Sequence, residues 1–353
     1  MTFRSSLSTA RRTRRILLQQ SAALGALLAT GKLWAQPPAS VVRVAAAYPV
    51  PVGQQWVSCI HKALATTEDR GEIDYTYSEN ISLADYEAAL RQYGEQGMHL
   101  IVGEAFHDEA LTRQIALDYP DTAFLMGSSG RPQHPNFSVF NSYIEEPTYL
   151  TGMIAGGLSQ TGIIGLVGAH PTGNVNRLMH AFMDGVYEIN PDAQFLISFT
   201  NSRFDPRKAR QTAFAMIDRG ADVLYAERVG VAEAAEQRGK LVIGNIIDSQ
   251  RQFPDTVVAS ALWDMAPTIE RALTMVKRGT FHADDYGKYS QMRYEGAMFA
   301  PSRTLEGKLP GALLARVHAR HRTILDGSFT IKLNDKPLTA TNLAAIPLQT
   351  SGK

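Results

Sequence analysis

Two short stretches carry glutamates at matched spacing. GMHLIVGEAFHDEAL begins at Gly97 and GADVLYAERVGVAEA begins at Gly220. In each, an apolar run follows the glycine, and Glu104 or Glu227 stands seven residues after it. A carboxylate at the end of an apolar run can accept hydrogen bonds from ring N–H groups or pair with a cation. An aromatic sits in a comparable place. In AAYPVPVGQQW (46–56) a Pro/Gly loop joins a Val/Ala run to the helix-like VSCIHKAL, and Trp56 lies at the loop's mouth with Tyr48 and Gln55 nearby. An indole there suits stacking on a flat ring, and it suits core packing as well.

Catalytic constellations are harder to assemble. The sequence contains no G-x-S-x-G elbow, no Walker A lysine loop and no H-E-x-x-H. His318 and His321 stand three apart on an expected helix, but Arg320 and Arg322 crowd them with positive charge. TGNVN (172–176) lacks the glycine pattern of a dinucleotide loop, and His170, after IIGLVGA, is either a cleft-lining residue or a plain loop histidine. Cys59 is the single cysteine, so no internal disulfide and no cysteine-based metal site can form. No nucleophile, base and oxyanion donor come together. The residues describe a binder, with no metal or cofactor expected.

The elements that must position these groups alternate. Short apolar runs occur near 41–48, 73–78, 98–104, 122–127, 163–168, 193–200, 222–227 and 241–246. Helical periodicity fills the gaps, near 54–66, 83–96, 107–118, 145–159, 173–188, 206–219 and 230–238. Such alternation predicts an α/β protein with mostly parallel sheets covered on both faces. Ligands of these folds sit at the carboxyl ends of strands. Glu104 and Glu227 would then face each other across a two-lobed clam.

The amino-terminal stretch reads as an address. Five arginines precede an apolar stretch from about Ile16 to Ala29, and no acid occurs before Glu68. A membrane span needs roughly 20 apolar residues, so this stretch reads as a signal peptide, residues 1–35, cleaved near Ala35. Thr13–Leu18 resembles a twin-arginine export signal. Periplasmic export is expected. Six of the 35 Lys and Arg, and none of the 34 Asp and Glu, lie in residues 1–35. The remainder carries 29 basic and 34 acidic residues, net −5, which argues against nucleic acid or an anionic membrane as partner.

The middle of the chain carries a family likeness. Val167-Gly168, Pro171, Asn176-Arg177, Ala181-Phe182 with Gly185, Phe204-Asp205-Pro206 and the run Ile217–Val223 resemble, in order and spacing, the basic membrane protein family of solute-binding proteins. YLTGMIAGGLSQTGIIG (149–165), YSENI (77–81) and YEGAMFAP (294–301) resemble its flanking parts. The resemblance spans Val41 to about Phe329. It implies a type I periplasmic binding protein: two Rossmann-like lobes, three crossovers, and a ligand cleft serving an ABC importer of nucleosides and purines. It also implies a base-stacking role for Trp56, and cleft contacts from Glu104, Phe106, Glu227 and Arg228.

There are departures from the family pattern. Arg203, in Ser202-Arg203-Phe204-Asp205-Pro206, replaces an aromatic, and Ile246 replaces the acid that holds ribose. The first change suggests an anionic or carbonyl-rich ring, unless Arg203 and Arg228 pair with Glu104, Glu227 or Asp205. Gln55 and Asn245 are expected to offer amides, and Tyr48 and Phe204 are expected to add ligand contacts. Trp263 forms either a second cleft wall or hinge packing. The expected lobes are 36–158 plus 248–280, and 159–247 plus 281–345. The expected protein is a monomer that binds a purine-like base or nucleoside and docks on an inner-membrane permease. A nucleoside-processing enzyme and a ligand sensor for a membrane receptor are the rival readings.

Overall fold

The structure is a computed structural model and describes residues 41–303 and 309–348. The expected signal peptide lies outside the described residues. The first lobe is a parallel sheet in the order β2 (Ile73–Ser78), β1 (Val42–Ala47), β3 (Leu100–Glu104), β4 (Ala123–Gly127) and β5 (Phe137–Phe140). The helices α1 (Gln55–Asp69), α2 (Leu83–Glu95) and α3 (Glu109–Asp118) connect its strands. Every residue of β3, β4 and β5 is buried, as expected for strands covered on both faces.

The second sheet follows the order β11 (Ala297–Pro301), β10 (Val257–Trp263), β9 (Leu241–Ile246), β8 (Val223–Ala226), β6 (Ile163–Gly168) and β7 (Gln194–Phe199). Only β11 runs antiparallel to its neighbour. Its helices are α4 (Glu145–Leu158), α5 (Gly173–Ile189), α6 (Pro206–Ile217), α7 (Val231–Gln237) and α9 (Gly311–Leu325), while α8 (Ala266–Lys277) follows β10 in the chain.

Local chemistry explains the helix starts. Gln54, Ser82, Asp108 and Asp205 each accept a backbone N–H of the first turn of α1, α2, α3 or α6. Pro206 occupies the first position of α6, where its missing N–H costs nothing. In α5 the stripe Val175, Leu178, Met179, Phe182 and Val186 is buried, at helical spacing. The helices α4 and α5 cross on bare backbone. A Cβ on Gly152 would lie 2.1 Å from the Phe182 carbonyl oxygen, and one on Gly185 would lie 2.0 Å from that of Tyr149.

The described chain passes between the sheets three times: between β5 and α4, between β10 and α8, and before β11. The lobe division differs from the expected one. Within 248–280, strand β10 hydrogen-bonds to β9 in the second sheet, and only α8 returns to the first lobe, against α1 and β1. Within 281–345, the 3-10 turn Tyr286–Ser290 packs on β5, with Val139 N–H donating to the Asp284 carbonyl at 3.1 Å. An apolar run announces a buried strand without saying which sheet receives it. The tail beyond α9 covers the outer edge of β7, where Thr341 N–H donates to the Ile197 carbonyl at 2.8 Å.

Candidate functional site: the cleft between the lobes

A cavity of about 340 Å³ lies where the carboxyl ends of both sheets meet. From the first lobe it takes Trp56, Glu104 and Phe106; from the second, Arg203, Glu227 and Arg228. All six are residues expected from the sequence. They stand where the strand-end rule places ligands in parallel sheets.

Trp56 is half-buried at the start of α1. Its indole stacks on Phe140 (5.4 Å between centroids, 7° between planes) and on Trp263 (5.5 Å, 28°). Phe140 and Trp263 are themselves only 6.2 Å apart. Rings on opposite faces of an indole would be separated by two van der Waals layers, roughly 7 Å. Both therefore lie toward one side of the indole, whose remaining surface is shared by the cavity, Phe106 and Gly127. Phe106 meets it edge-on at 5.9 Å. Gly127, at the end of β4, makes the room: a Cβ there would lie 2.5 Å from the indole Cη2. The indole Nε1 is buried and has no hydrogen-bond partner among the described residues. Interiors leave few such donors, and those that persist call for a functional reason.

The two glutamates end β3 and the β8 run, and both are almost fully buried. Arg203 Nη1 reaches across from the second lobe to Glu104 Oε1. Glu227 stays within its own lobe: Oε1 accepts from Arg228 Nη2 at 2.5 Å, and Oε2 accepts from the Ala169 N–H at 2.9 Å. Arg228 also donates from Nη1 to the Arg203 carbonyl at 2.8 Å. Of the two alternatives for the arginines, pairing with the glutamates is the one the structure displays. Burial raises both carboxyl pKa values, and each paired arginine pulls its glutamate back down. His107 Nδ1 lies 4.0 Å from Glu104 Oε1, but burial first and Arg203 second lower its pKa, which keeps the imidazole neutral.

Five expected contacts lie off the cavity wall. Tyr48 is 1% exposed inside the first lobe, with its hydroxyl 3.0 Å from that of Tyr75. Gln55 is buried one helical step away from the cavity. Its neighbour Gln54 lines the wall and caps α1 with its side chain. Phe204 projects into solvent. Asn245 accepts from the Tyr225 hydroxyl at 2.9 Å and leaves the wall to Ile246, because successive strand residues face opposite sides. Trp263 is hinge packing. Its Nε1 donates to Ser290 Oγ at 2.8 Å, and that hydroxyl donates to the Asn141 carbonyl at 2.8 Å. Two side chains and one backbone carbonyl, one from each crossing region, thus join in a single chain of contacts behind Trp56.

Sequence reasoning missed Ser142 and the start of α5, where Thr172, Asn174, Val175 and Leu178 face the cavity. His170, left open as a cleft or loop residue, also lines it. Ser142 follows the carboxyl end of β5 and the others follow that of β6, so the strand-end rule that placed Glu227 could have found them. Ile246 forms part of the wall with φ at +69°. A β-branched residue in the left-handed region is a true outlier, and such strain gathers at ligand clamps.

Two facing lobes with a cleft lined by aromatic and charged strand-end residues define a solute-binding protein of the periplasmic-binding-protein class. Residues 49–288, more than half of the chain, match the Bmp family, described as ABC transporter substrate-binding protein, PnrA-like. The chain belongs to that family of ABC transporter substrate-binding proteins. It is similar to a putative ABC transporter glucose-binding protein of Haloferax volcanii, with 30% identity over 63% of this chain and 57% of the relative. It is similar to a purine-binding protein of Brucella abortus, with 30% identity over 57% of this chain and 58% of the relative. The chain thus spans under three fifths of the length of these curated relatives. A solved solute-binding protein of an ABC transporter system from Aeropyrum pernix superposes with a TM-score of 0.72 at 18% identity, covering 83% of this chain and 94% of that one. That likeness shows the fold.

Proposed function

We propose that the protein is the exported, monomeric, periplasmic binding component of an ABC importer, and that its ligand is a flat purine-like base or nucleoside. Trp56 carries this reading. Its indole is backed by two rings, faces the cavity, and stands beside a buried carboxylate. A flat heterocycle would stack on it, and Glu104 would accept its ring N–H groups. Stacking a base on an aromatic ring contributes about 1–3 kcal/mol. The purine-binding relative in Brucella abortus supports the same ligand class.

Charge narrows the ligand. Each cavity arginine already faces a glutamate, so these four groups add no net charge. An uncharged base with mixed donors and acceptors suits such a wall better than an anion does. The apolar Ile246 favours the free base over the nucleoside. Delivery to a membrane permease would follow closure of the lobes on the ligand.

Calorimetric titration of the mature protein tests this, with adenine, guanine, hypoxanthine, xanthine, adenosine, guanosine and glucose. A free base should bind most tightly. Trp56→Ala should weaken it by about tenfold or more, the equivalent of about 1.4 kcal/mol. Binding of glucose alone, or base binding indifferent to Trp56→Ala, would overturn the assignment.

A further inference from the structure

A second cavity, of about 370 Å³, lies away from the ligand cleft, among Tyr143, Glu145 and Glu146 of the first crossover, Asp285 and Lys288 of the third, and Arg177 of α5. Ile331 and Leu333 of the tail add an aliphatic wall. Among the lining residues the charge does not balance: Glu145, Glu146 and Asp285 stand with Arg177 and Lys288, and Arg293, off the wall, also acts on Glu146. Both lining cations are already engaged. Lys288 Nζ donates to Asp284 at 2.9 Å, and the Arg177 guanidinium lies 4.4 Å over the Tyr143 ring.

Glu145 is the independent sign of a ligand. It is 4% exposed, and its Oε1 has no hydrogen-bond partner among the described residues. Arg177 Nε lies 3.1 Å from that oxygen, but it is not aligned to donate and is itself without a hydrogen bond. The ion pair therefore leaves a buried carboxylate oxygen free to accept. Glu146 commits one oxygen to the Met292 N–H at 2.8 Å, and Asp285 commits one to the Gly287 N–H at 2.8 Å.

We propose that this pocket binds a small primary amine, its ammonium seated against Glu145 with Glu146 and Asp285 around it, and its carbon chain along Ile331 and Leu333. An ammonium brings three donors and one positive charge, which is what the wall lacks. Burial holds Glu145, Glu146 and Asp285 above the ordinary carboxylate range, and a bound cation would bring all three down. The pocket draws on two of the three crossing segments, so the amine would sit where lobe opening is set.

The test is calorimetry of the full chain with 1,4-diaminobutane. Saturable one-to-one binding is expected. Glu145→Gln should weaken it about tenfold or more, because it removes a charge-assisted hydrogen bond. The amine heat should persist in Trp56→Ala, which reports on the cleft. Leu333→Lys should also weaken it, because a tethered ammonium would compete for the same carboxylates. Leu333 is 61% exposed, so that variant tests the pocket even if Glu145→Gln fails to fold. No saturable heat with folded wild-type protein would overturn the proposal. So would amine binding that Trp56→Ala abolishes and Glu145→Gln and Leu333→Lys leave intact.

Discussion

Glu104 and Glu227 occupy equivalent places in the two lobes, yet they are held differently. Glu227 has its arginine next to it in sequence and a backbone N–H from its own sheet. Glu104 takes its arginine from the opposite lobe. The first arrangement persists whatever the lobes do. The second exists only while they are closed. The same pair of residue types therefore serves as a fixed brace in one lobe and as a latch across the cleft in the other.

The largest effect separating brace from latch should appear in stability. The Arg228 side chain is 11% exposed and that of Glu227 is 4% exposed, and their pairing lies within one lobe and needs no partner from the other. Arg228→Ala strands a buried carboxylate and should cost about 3–5 kcal/mol, read from the urea unfolding midpoint. The Arg203 side chain is 37% exposed, and Glu104 regains water when the cleft opens. Arg203→Ala should therefore cost about 1 kcal/mol or less. It should also raise the radius of gyration in solution scattering as the latch is lost. Equal destabilisation by the two variants would erase the distinction.

A smaller effect should appear with pH. Arg203 pulls the Glu104 carboxyl down against burial, so Arg203→Ala should raise its pKa further. A carboxylate whose folded pKa exceeds its unfolded one binds more protons when folded, in the window between the two values. Stability then falls as pH rises through that window and recovers as pH falls. The penalty of Arg203→Ala should accordingly be larger near about pH 7 than near about pH 5. Adding Glu104→Gln should flatten the difference. A penalty independent of pH would mean that Glu104 titrates without reference to Arg203.

Which of these features could be read from sequence depends on geometry. The parallel strands of both lobes are continuous apolar runs because helices cover both faces, and their ends gave Trp56, Glu104, Phe106, Arg203, Glu227 and Arg228 as cavity residues. Four-residue β5 is broken by Ser138, and the antiparallel edge strand β11 is short and ends in Pro301, so neither reads as a buried parallel strand. Side-chain direction was the harder quantity. Gln55 for Gln54 and Asn245 for Ile246 are one-residue displacements, and one residue turns a side chain to another face. The partner of Arg203 stayed open among Glu104, Glu227 and Asp205, because the sequence does not say which residue of the opposite lobe, here 99 positions away, comes within reach.

The smallest expected effect compares the aromatics beside the two latch residues. Phe106 follows Glu104 by two positions and Phe204 follows Arg203 by one. They are 38% and 41% exposed, so exposure does not separate them. Contact does. Phe106 meets Trp56 edge-on and lines the cavity, while Phe204 lies off its wall. An aromatic edge contact contributes about 0.5–1.5 kcal/mol. Phe106→Ala should weaken base binding by a few-fold, through a looser indole. Phe204→Ala should change neither binding nor stability by more than about 0.5 kcal/mol. If Phe204→Ala weakens binding as much as Phe106→Ala, the second lobe contributes an aromatic wall on closure, and the cleft is more symmetric than its charge pairs indicate.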